Sequence, residues 1–382
     1  MTRDSRIEKL AGIVVGYSLG VEKGKNVMVD SFDHADDFAA AMVREIFKAG
    51  AYPFVNHEIL GIKRELILGM GDEYLERLLD IELYKMKKMD YYIGIRKNHN
   101  INELSCLPQG QLYYMNALNH GLHYEERVKN TRWTVMRYPN PQMAQLAGMG
   151  TEAFQDYYFH VCCLDYQYLS QCMVPLKELM DHTDKVRIVA RDTDLTFSIE
   201  GHTGGICDGH ANLPDGEVCT GPVQGSMNGT IRYNVPSTTH GITFNDICFE
   251  IEKGKIVKAT SSDTPALNRI LDLDEGARGF GEFAIGTNPY IDKSINDILF
   301  DEKMTGSIHL TPGNGWGNKS SIHWDIVQSH LPMHGGGEIW FDGMLVRKDG
   351  LFLPESLKPL NPDVFSENRP TVFQNHLIQD GK

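Results

Sequence analysis

Hydrophobic positions in the first half of the chain alternate between short apolar runs and segments with helical spacing. NVMVDSF has the length and apolar character of a buried strand, and YPFVNHE, MDYYIGIRK and TRWTVMRYP are predicted as further strands. Between the first two, DDFAAAMVREIFKAG places Phe38, Met42 and Ile46 on one helical stripe. A repeated strand, helix, strand order predicts a mostly parallel sheet covered by helices, so we expect an α/β N-terminal domain.

The pattern changes near Lys185, where helical spacing largely stops after the apolar run KVRIVARD. Downstream, Gly, Thr and short alternating runs are typical of antiparallel β structure. ICFEIEKGKIVKATS predicts a hairpin with Lys253 and Gly254 in its turn, TPALNRILDL predicts a short helix, and EIWFDGMLVRKDGLFL predicts two further strands. These patterns, in a chain too long for one ordinary core, predict an α/β domain over residues 1–185 and an α+β, β-rich domain over residues 186–382, and the candidate metal-binding residues described below all lie in the second domain.

Composition narrows the classes of function. A hydrophobic content of 41% with 23% charged residues is typical of a soluble globular protein. The net charge of −14 disfavours nucleic acid and anionic membrane surfaces as partners. Seven scattered cysteines form no disulfide framework, and the N-terminus MTRDSRIEKL lacks the apolar core of a signal peptide. We therefore expect a cytoplasmic protein with neither a nucleic acid nor a membrane partner.

Acidic and imidazole side chains concentrate between Gly279 and Asp325. In SSIHWD, strand alternation would place His323 and Asp325 side by side on one face. An upstream turn in NLPDGEV delivers a further carboxylate at the start of an apolar segment. Carboxylate and imidazole ligands suit Zn, Co, Mn or Mg and need no thiolate. The candidate metal ligands are Glu217, Glu282, His309, His323 and Asp325.

Other sequence patterns give weaker candidates for chemistry. GHTGGICDGH contains His202, Cys207 and His210, but its glycine content favours a loop and no fourth zinc ligand is obvious. GNGWGNKSS lacks the spacing of a phosphate-binding loop because Asn318 stands where a glycine is needed. The chain has no HExxH or CxxC, so a zincin helix and a thioredoxin-like site are unsupported. GYSLG at residues 16–20 matches GxSxG, but it ends a run with helical spacing and does not follow a strand, so a serine nucleophile elbow is unsupported too.

Several of these segments, taken in order, resemble a known family. NLPDGEV followed by GP, then GARGFGEFAIGTNP, DEKMTGSIHL and SSIHWD are similar to the metal-ligand segments of the aminopeptidase T and aminopeptidase S family of dinuclear metallo-aminopeptidases. The run MAQLAGMGTEAFQDYYF resembles that family too, so the similarity spans most of the chain. The resemblance implies that the five candidate residues bind two divalent ions, with Asp325 as the bridge. It also implies a homodimer whose enclosed cavity admits only short peptides.

The chain departs from the family pattern at Trp316. The family has a tyrosine seven residues after the histidine of the SIHL-like segment, and an indole can neither ligate a metal nor accept a proton. The interval between His309 and His323 is also shorter than expected for the peptidases. A related branch resembling 2,5-dihydroxypyridine dioxygenase uses one Fe(II), held by two histidines and an aspartate, to open an aromatic ring. That iron enzyme is one alternative, and a catalytically silent metal-binding relative is another.

Both Glu217 and Glu282 favour the peptidase, because a three-residue iron site has no use for two further carboxylates. We therefore expect a metal-dependent aminopeptidase that removes N-terminal residues from short peptides with a water activated by two metal ions. Glu217 and Glu282 are also the candidates for the general base, although both are expected to be ligands.

Overall fold

A computed structural model describes residues 4–97, 99–100, 102–239 and 241–368. Most of its helices lie in the first half of the chain. The α-helices are α1 Ser5–Gly12, α2 Asp36–Lys48, α3 Leu60–Leu68, α4 Asp72–Met86, α5 Gln109–Asn119, α6 Val128–Asn130, α7 Pro141–Leu146, α8 Thr151–Cys162, α9 Tyr166–Asp181, α10 Thr264–Leu271, α11 Ile298–Asp301 and α12 Pro362–Asn368. Wider π-helical turns extend α1 over Ile13–Ser18 and join α5 to α6 over His120–Arg127, and 3₁₀ turns cover Pro332–His334 and Glu355–Leu360.

Strands dominate the second half. The strands are β1 Asn26–Phe32, β2 Tyr52–Glu58, β3 Tyr91–Arg96, β4 Arg132–Arg137, β5 Lys185–Ala190, β6 Thr193–Ser198, β7 Gly205–Cys207, β8 Asn212–Leu213, β9 Glu217–Thr220, β10 Asn228–Arg232, β11 Ser237–Thr239, β12 Ile242–Phe244, β13 Cys248–Glu252, β14 Lys255–Thr260, β15 Phe280–Gly286, β16 Ser307–Gly315, β17 Asn318–His323, β18 Ile326–Ser329, β19 Gly337–Phe341, β20 Met344–Lys348 and β21 Leu351–Phe352.

The first sheet is parallel throughout and has the strand order β2-β1-β3-β4-β8. Its central strands β1 and β3 are buried almost throughout because they are nearly continuously apolar, whereas the edge strand β2 is partly exposed. Val29 of β1 packs in the main core with Phe38 of α2, whereas Met28 packs on the opposite face with Met86 of α4. The predicted α/β domain with a mostly parallel sheet is confirmed.

The second half is built from antiparallel sheets, which confirms the predicted β-rich class. An eight-stranded sheet has the order β14-β13-β10-β6-β5-β19-β20-β21, and a six-stranded sheet has the order β17-β16-β15-β9-β7 with β18 beside β16. The β13–β14 hairpin turns at Lys253 and Gly254, whose φ angles of 48° and 77° suit a tight turn with left-handed residues. The predicted hairpin is therefore present where its sequence placed it.

Two local details differ from the sequence expectations. The run EIWFDGMLVRKDGLFL forms three strands rather than two, because a turn at Asp349 and Gly350 returns the chain for the short β21. Only His323 of the His-Trp-Asp run belongs to a strand, since β17 ends there. KVRIVARD, the apolar run at the predicted boundary, forms β5 inside the eight-stranded antiparallel sheet.

The two halves of the chain contribute to a common sheet and to a common hydrophobic core. Strand β8, from the second half, adds to the parallel sheet beside β4. One continuous hydrophobic core contains Val29 from the first half and Phe283 and Ile308 from the second. The division at residues 185 and 186 coincides with the change from helices to strands and stays a prediction.

Within the described ranges, no helix has both the length and the apolar character needed to cross a membrane.

Candidate metal centre

The candidate centre lies on one face of the six-stranded sheet, across β9, β15 and β16. Alternation sends Phe283 and Ile308 to the buried core on the other face. On the centre's face, cross-strand pairing places Glu217 opposite Gly286 and Glu282 opposite Thr311. Because small residues separate the ligating ones, several long polar side chains can converge above the same part of the sheet.

All five sequence-predicted residues meet on this face. Ligand atoms of Glu217, Glu282 and His309 lie within 4.8 Å of one another, and so do those of Glu282, His323 and Asp325. Glu282 belongs to both groups: Oε1 is 3.6 Å from His309 Nε2, and Oε2 is 3.7 Å from His323 Nε2. The two groups therefore form an inner and an outer position that share one carboxylate.

The spacing of the donor atoms suits metal ions better than direct hydrogen bonds. His309 Nε2 lies 3.7 Å from Glu217 Oε2 and 4.0 Å from Asp325 Oδ1, and His323 Nε2 lies 3.3 Å from the same Asp325 oxygen. Two ligand atoms that bind the same ion, each at about 2.1 Å from it, are roughly 3 to 4 Å apart. Glu217 Oε2 is also buried with no hydrogen-bond partner among the described residues, which a bound cation would correct.

Neighbouring groups orient the outer ligands. His323 Nδ1 donates to the carbonyl of Asn314 at 2.8 Å, which leaves Nε2 free to ligate. The Thr311 hydroxyl donates to Asp325 Oδ1. Trp324 points away from the centre and donates from its indole to Ser237 at 2.9 Å. His323 and Asp325 thus lie side by side, as the alternation argument expects, although Asp325 follows the strand.

The two positions differ in access to solvent. The side chains of His309 and Glu217 are 2% and 6% exposed, whereas the side chain of His323 is 45% exposed. The outer position is therefore the side from which a substrate can reach the centre.

The histidines and carboxylates of the centre shift one another's pKa values. Burial alone would lower the pKa of His309, but the carboxylates of Glu217, Glu282 and Asp325 outweigh it and raise that pKa to about 10. Burial would also lower the pKa of His323, but the carboxylate of Asp325 outweighs burial and raises that pKa to about 9. Burial would raise the pKa of Asp325, yet the two histidines and Thr311 hold it well below its usual range. Without metal, the imidazoles are thus the cations of the site.

A third group of possible ligand side chains adjoins the inner position, and the sequence analysis did not predict it. Cys207, Asp215 and Glu217 offer ligand atoms within 4.8 Å of one another, but the ammonium of Lys303 already lies among them, 2.6 Å from Glu217 Oε1. The same ammonium is 2.9 Å from Glu302 Oε1. Burial raises the pKa of Glu302 to about 8 against the opposing effect of Lys303.

The remaining sequence candidates lie outside the centre. His202 Nδ1 donates to the Gly221 carbonyl, and His210 packs on Tyr17 with ring centroids 4.7 Å apart, so neither joins a described metal group. Trp316, in the β16–β17 turn, lies against Gly221 so closely that a Cβ there would be 1.9 Å from its own Cβ. Glycine is therefore required at position 221.

Comparison with known proteins agrees with the fold. The thermophilic metalloprotease (M29) family matches residues 3–336. Aminopeptidase T of Thermus aquaticus is 24% identical, over 91% of this chain and 96% of that protein. The structure of wild-type AmpT from Thermus thermophilus matches with a TM-score of 0.78 at 21% identity, covering 92% of this chain and 99% of that one.

A second solved structure shares the fold less closely. The 2,5-dihydroxypyridine dioxygenase of Pseudomonas putida KT2440 matches with a TM-score of 0.58 at 14% identity, covering 92% of this chain and 99% of that one. Because the family match extends over most of the chain, the predicted resemblance is confirmed. The protein belongs to the thermophilic metalloprotease (M29) family.

Proposed function

We propose that this protein is an aminopeptidase that removes N-terminal residues from short peptides with a water activated by two divalent ions. Membership of a metalloprotease family and the aminopeptidase T relatives confirm the coarser prediction, the enzyme class of a metallo-aminopeptidase. The two-metal mechanism is carried by one observation: Glu282 faces both histidines, one with each carboxylate oxygen.

Each proposed ligand has a place in this account. Glu217, Glu282 and His309 would hold the inner ion, and Glu282, His323 and Asp325 the outer one. Glu282, and not Asp325 as the resemblance implies, would be shared by the two ions, because each Glu282 oxygen faces one histidine whereas Asp325 Oδ1 is closer to His323 than to His309. Two divalent ions here, whether Zn, Co, Mn or Mg, would lower the pKa of a shared water and stabilise the oxyanion of the attacked peptide bond.

Glu302 is the general base that we propose in place of Glu217 and Glu282. Those two carboxylates face the imidazoles, whereas Glu302 faces Lys303 and is not needed as a ligand. Burial raises the pKa of its carboxyl to about 8, close enough to physiological pH for proton transfer. A Glu302→Gln variant should bind both ions and lose at least about 100-fold in kcat. Loss of metal instead of turnover would assign Glu302 to ligation.

The single-iron dioxygenase is the less favoured alternative. His309, His323 and Asp325 would form its three-residue iron site, with Glu217 and Glu282 left in contact with the same imidazoles but without a role. Metal analysis after loading separates the two functions. About two ions other than iron per chain support the peptidase, and one ferrous ion with oxygen consumption supports the dioxygenase.

We further propose a cytoplasmic homodimer with an enclosed cavity, as the sequence resemblance implies. Light scattering after size-exclusion chromatography should give twice the chain mass of 43.1 kDa. A cavity of this kind would admit dipeptides and tripeptides but reject an unfolded protein such as casein. Rapid hydrolysis of casein would contradict the restriction to short peptides.

Hydrolysis of aminoacyl-4-nitroanilides by metal-loaded protein tests the proposed function. The wild type should release nitroaniline from substrates with a free α-amino group and leave the N-acetylated forms intact. Glu282→Ala should abolish turnover, whereas Glu250→Ala, a change at an exposed residue of β13 paired with Lys258, should not. If no such substrate is hydrolysed with Zn, Co, Mn or Mg, the protein is a silent relative or the iron enzyme.

A further inference from the structure

Lys303 carries a buried ammonium surrounded by carboxylates. Its side chain is 2% exposed, and Nζ lies 2.6 Å from Glu217 Oε1, 2.9 Å from Glu302 Oε1 and 3.5 Å from Asp215 Oδ1. Two carboxylates and the thiol of Cys207 would otherwise offer a third place for a metal ion. The ammonium supplies the positive charge that such a group of buried anions requires.

The contact with Lys303 divides the two oxygens of Glu217 between two cations. Oε1 is held by the ammonium, and Oε2 faces His309 Nε2 at 3.7 Å with no hydrogen-bond partner among the described residues. A free carboxylate can chelate an ion with both oxygens or rotate toward another group. With Oε1 held by the ammonium, Oε2 is the oxygen that Glu217 turns toward the inner position.

The backbone holds the ammonium in this place. The carbonyl of Lys303 accepts a hydrogen bond from Asn288 N at 2.9 Å. The segment also packs directly on β15, where a Cβ added to Gly286 would be 2.9 Å from the carbonyl carbon of Lys303. The lysine is therefore a fixed part of the site and not a surface side chain that happens to reach it.

The thiol of Cys207 is close enough to the inner position to compete for its metal ion. Its sulfur lies 3.9 Å from Cys219 Sγ and within 4.8 Å of ligand atoms of Asp215 and Glu217. Zinc and cobalt bind thiolates tightly, so a thiol beside a shared carboxylate would compete for the inner ion. The ammonium lies among the ligand atoms that such an ion would need.

We propose that Lys303 is a positioning residue, a built-in third cation that fixes Glu217 as a one-oxygen ligand of the inner ion and keeps Cys207 out of the metal centre. This inference rests on the two-metal function proposed above. It assigns the inner position a purely oxygen and nitrogen ligand set that depends on a residue which binds no metal.

Cobalt-loaded protein provides a test that is independent of turnover. A thiolate bound to Co²⁺ gives a sulfur-to-cobalt charge-transfer band in the near ultraviolet, which oxygen and nitrogen ligands do not give. The wild type should bind two cobalt ions without this band. Lys303→Met should acquire the band and bind the inner ion at least tenfold more weakly, and Lys303→Met/Cys207→Ser should lose the band again. Lys255→Met, at an exposed residue of β14, is the matched control and should behave as the wild type.

Two results would overturn the inference alone: a wild type with two cobalt ions and activity that already shows the band, or a folded Lys303→Met variant with an unchanged cobalt spectrum. If Lys303→Met does not fold, Lys303→Gln replaces it, because its amide can still donate hydrogen bonds to the carboxylates without the positive charge; an unchanged spectrum there has the same meaning. A wild type that binds fewer than two cobalt ions and hydrolyses no substrate would instead overturn the proposed function, and the inference with it.

Discussion

At the scale of single residues, Glu282 connects the two halves of the centre. Its oxygens face His309 and His323 separately, at 3.6 and 3.7 Å, so removal of its charge affects both positions at once. The residues around it act less directly. Thr311 orients Asp325, Asn314 fixes the ring of His323, and Lys303 fixes Glu217. Such supporting contacts raise metal affinity because they hold a ligand in the binding orientation.

Replacement of Thr311 by valine tests this support. The Asp325 carboxylate would lose the hydroxyl that donates to Oδ1, and we expect metal affinity to fall about 10- to 100-fold with little change in the fold. Titration with a metal-sensitive dye, or competition with a chelator, measures the change. Thr230→Val, an exposed residue on β10, is the matched control. Equal affinity in the two variants would show that the hydroxyl does not orient Asp325.

The pH dependence of the metal-free protein follows from the histidines. Their pKa values, raised from 6.5 to about 10 for His309 and about 9 for His323, mean that the folded state holds their protons more tightly than the unfolded chain. This stabilisation is fully present below pH 6.5 and is lost as the pH rises through 9 and 10. Metal binding requires neutral imidazoles, so affinity should rise over the same range.

Two measurements check this expectation. Thermal unfolding of chelator-treated protein should show a falling Tm between about pH 7 and pH 10. Calorimetry of metal binding in buffers of different ionisation enthalpy should show proton release at neutral pH. Metal affinity that is constant from about pH 6 to pH 9 would mean that the imidazoles are already neutral in the metal-free protein.

At the scale of elements, alternation along the strands explains why part of the centre could be predicted. Glu217, Glu282 and His309 begin or interrupt apolar runs, and each run buries its other face in the core, so polar residues of the runs share one side. The role of Lys303 and Glu302 could not be predicted in this way. Acidic and basic neighbours before a glycine usually form a solvated turn, and only the packing on Gly286 reveals that this turn is buried.

Gly286→Ala tests that packing. An added Cβ would lie 2.3 Å from the carbonyl oxygen of Met304 and would push the segment with Lys303 away from β15. We expect a loss of about 1–3 kcal/mol in the free energy of unfolding, measured by denaturant titration, and weaker binding of the inner metal ion. Gly12→Ala is the control, because nothing lies within 4 Å of the Cβ it would add in α1. Equal stability of the two variants would show that the segment can shift without cost.

At the scale of the whole molecule, the order of elements along the chain predicts the parallel and antiparallel halves. It does not predict which distant segments contact one another. The pairing of the two-residue strand β8 with β4 has no periodic pattern that could reveal it. The convergence of residues 217 and 325 depends on the order of strands in the six-stranded sheet, which alternation within one strand does not determine. The family resemblance supplied the link between these distant segments.

The most direct test of the two-metal account is an anomalous difference map from a crystal loaded with Co²⁺ or Mn²⁺. We expect two peaks about 3.5–4 Å apart, one beside Glu217 and His309 and one beside His323 and Asp325, with the Glu282 carboxylate between them. A single peak held by His309, His323 and Asp325, with Glu217 and Glu282 uninvolved, would contradict the account and favour the single-iron enzyme.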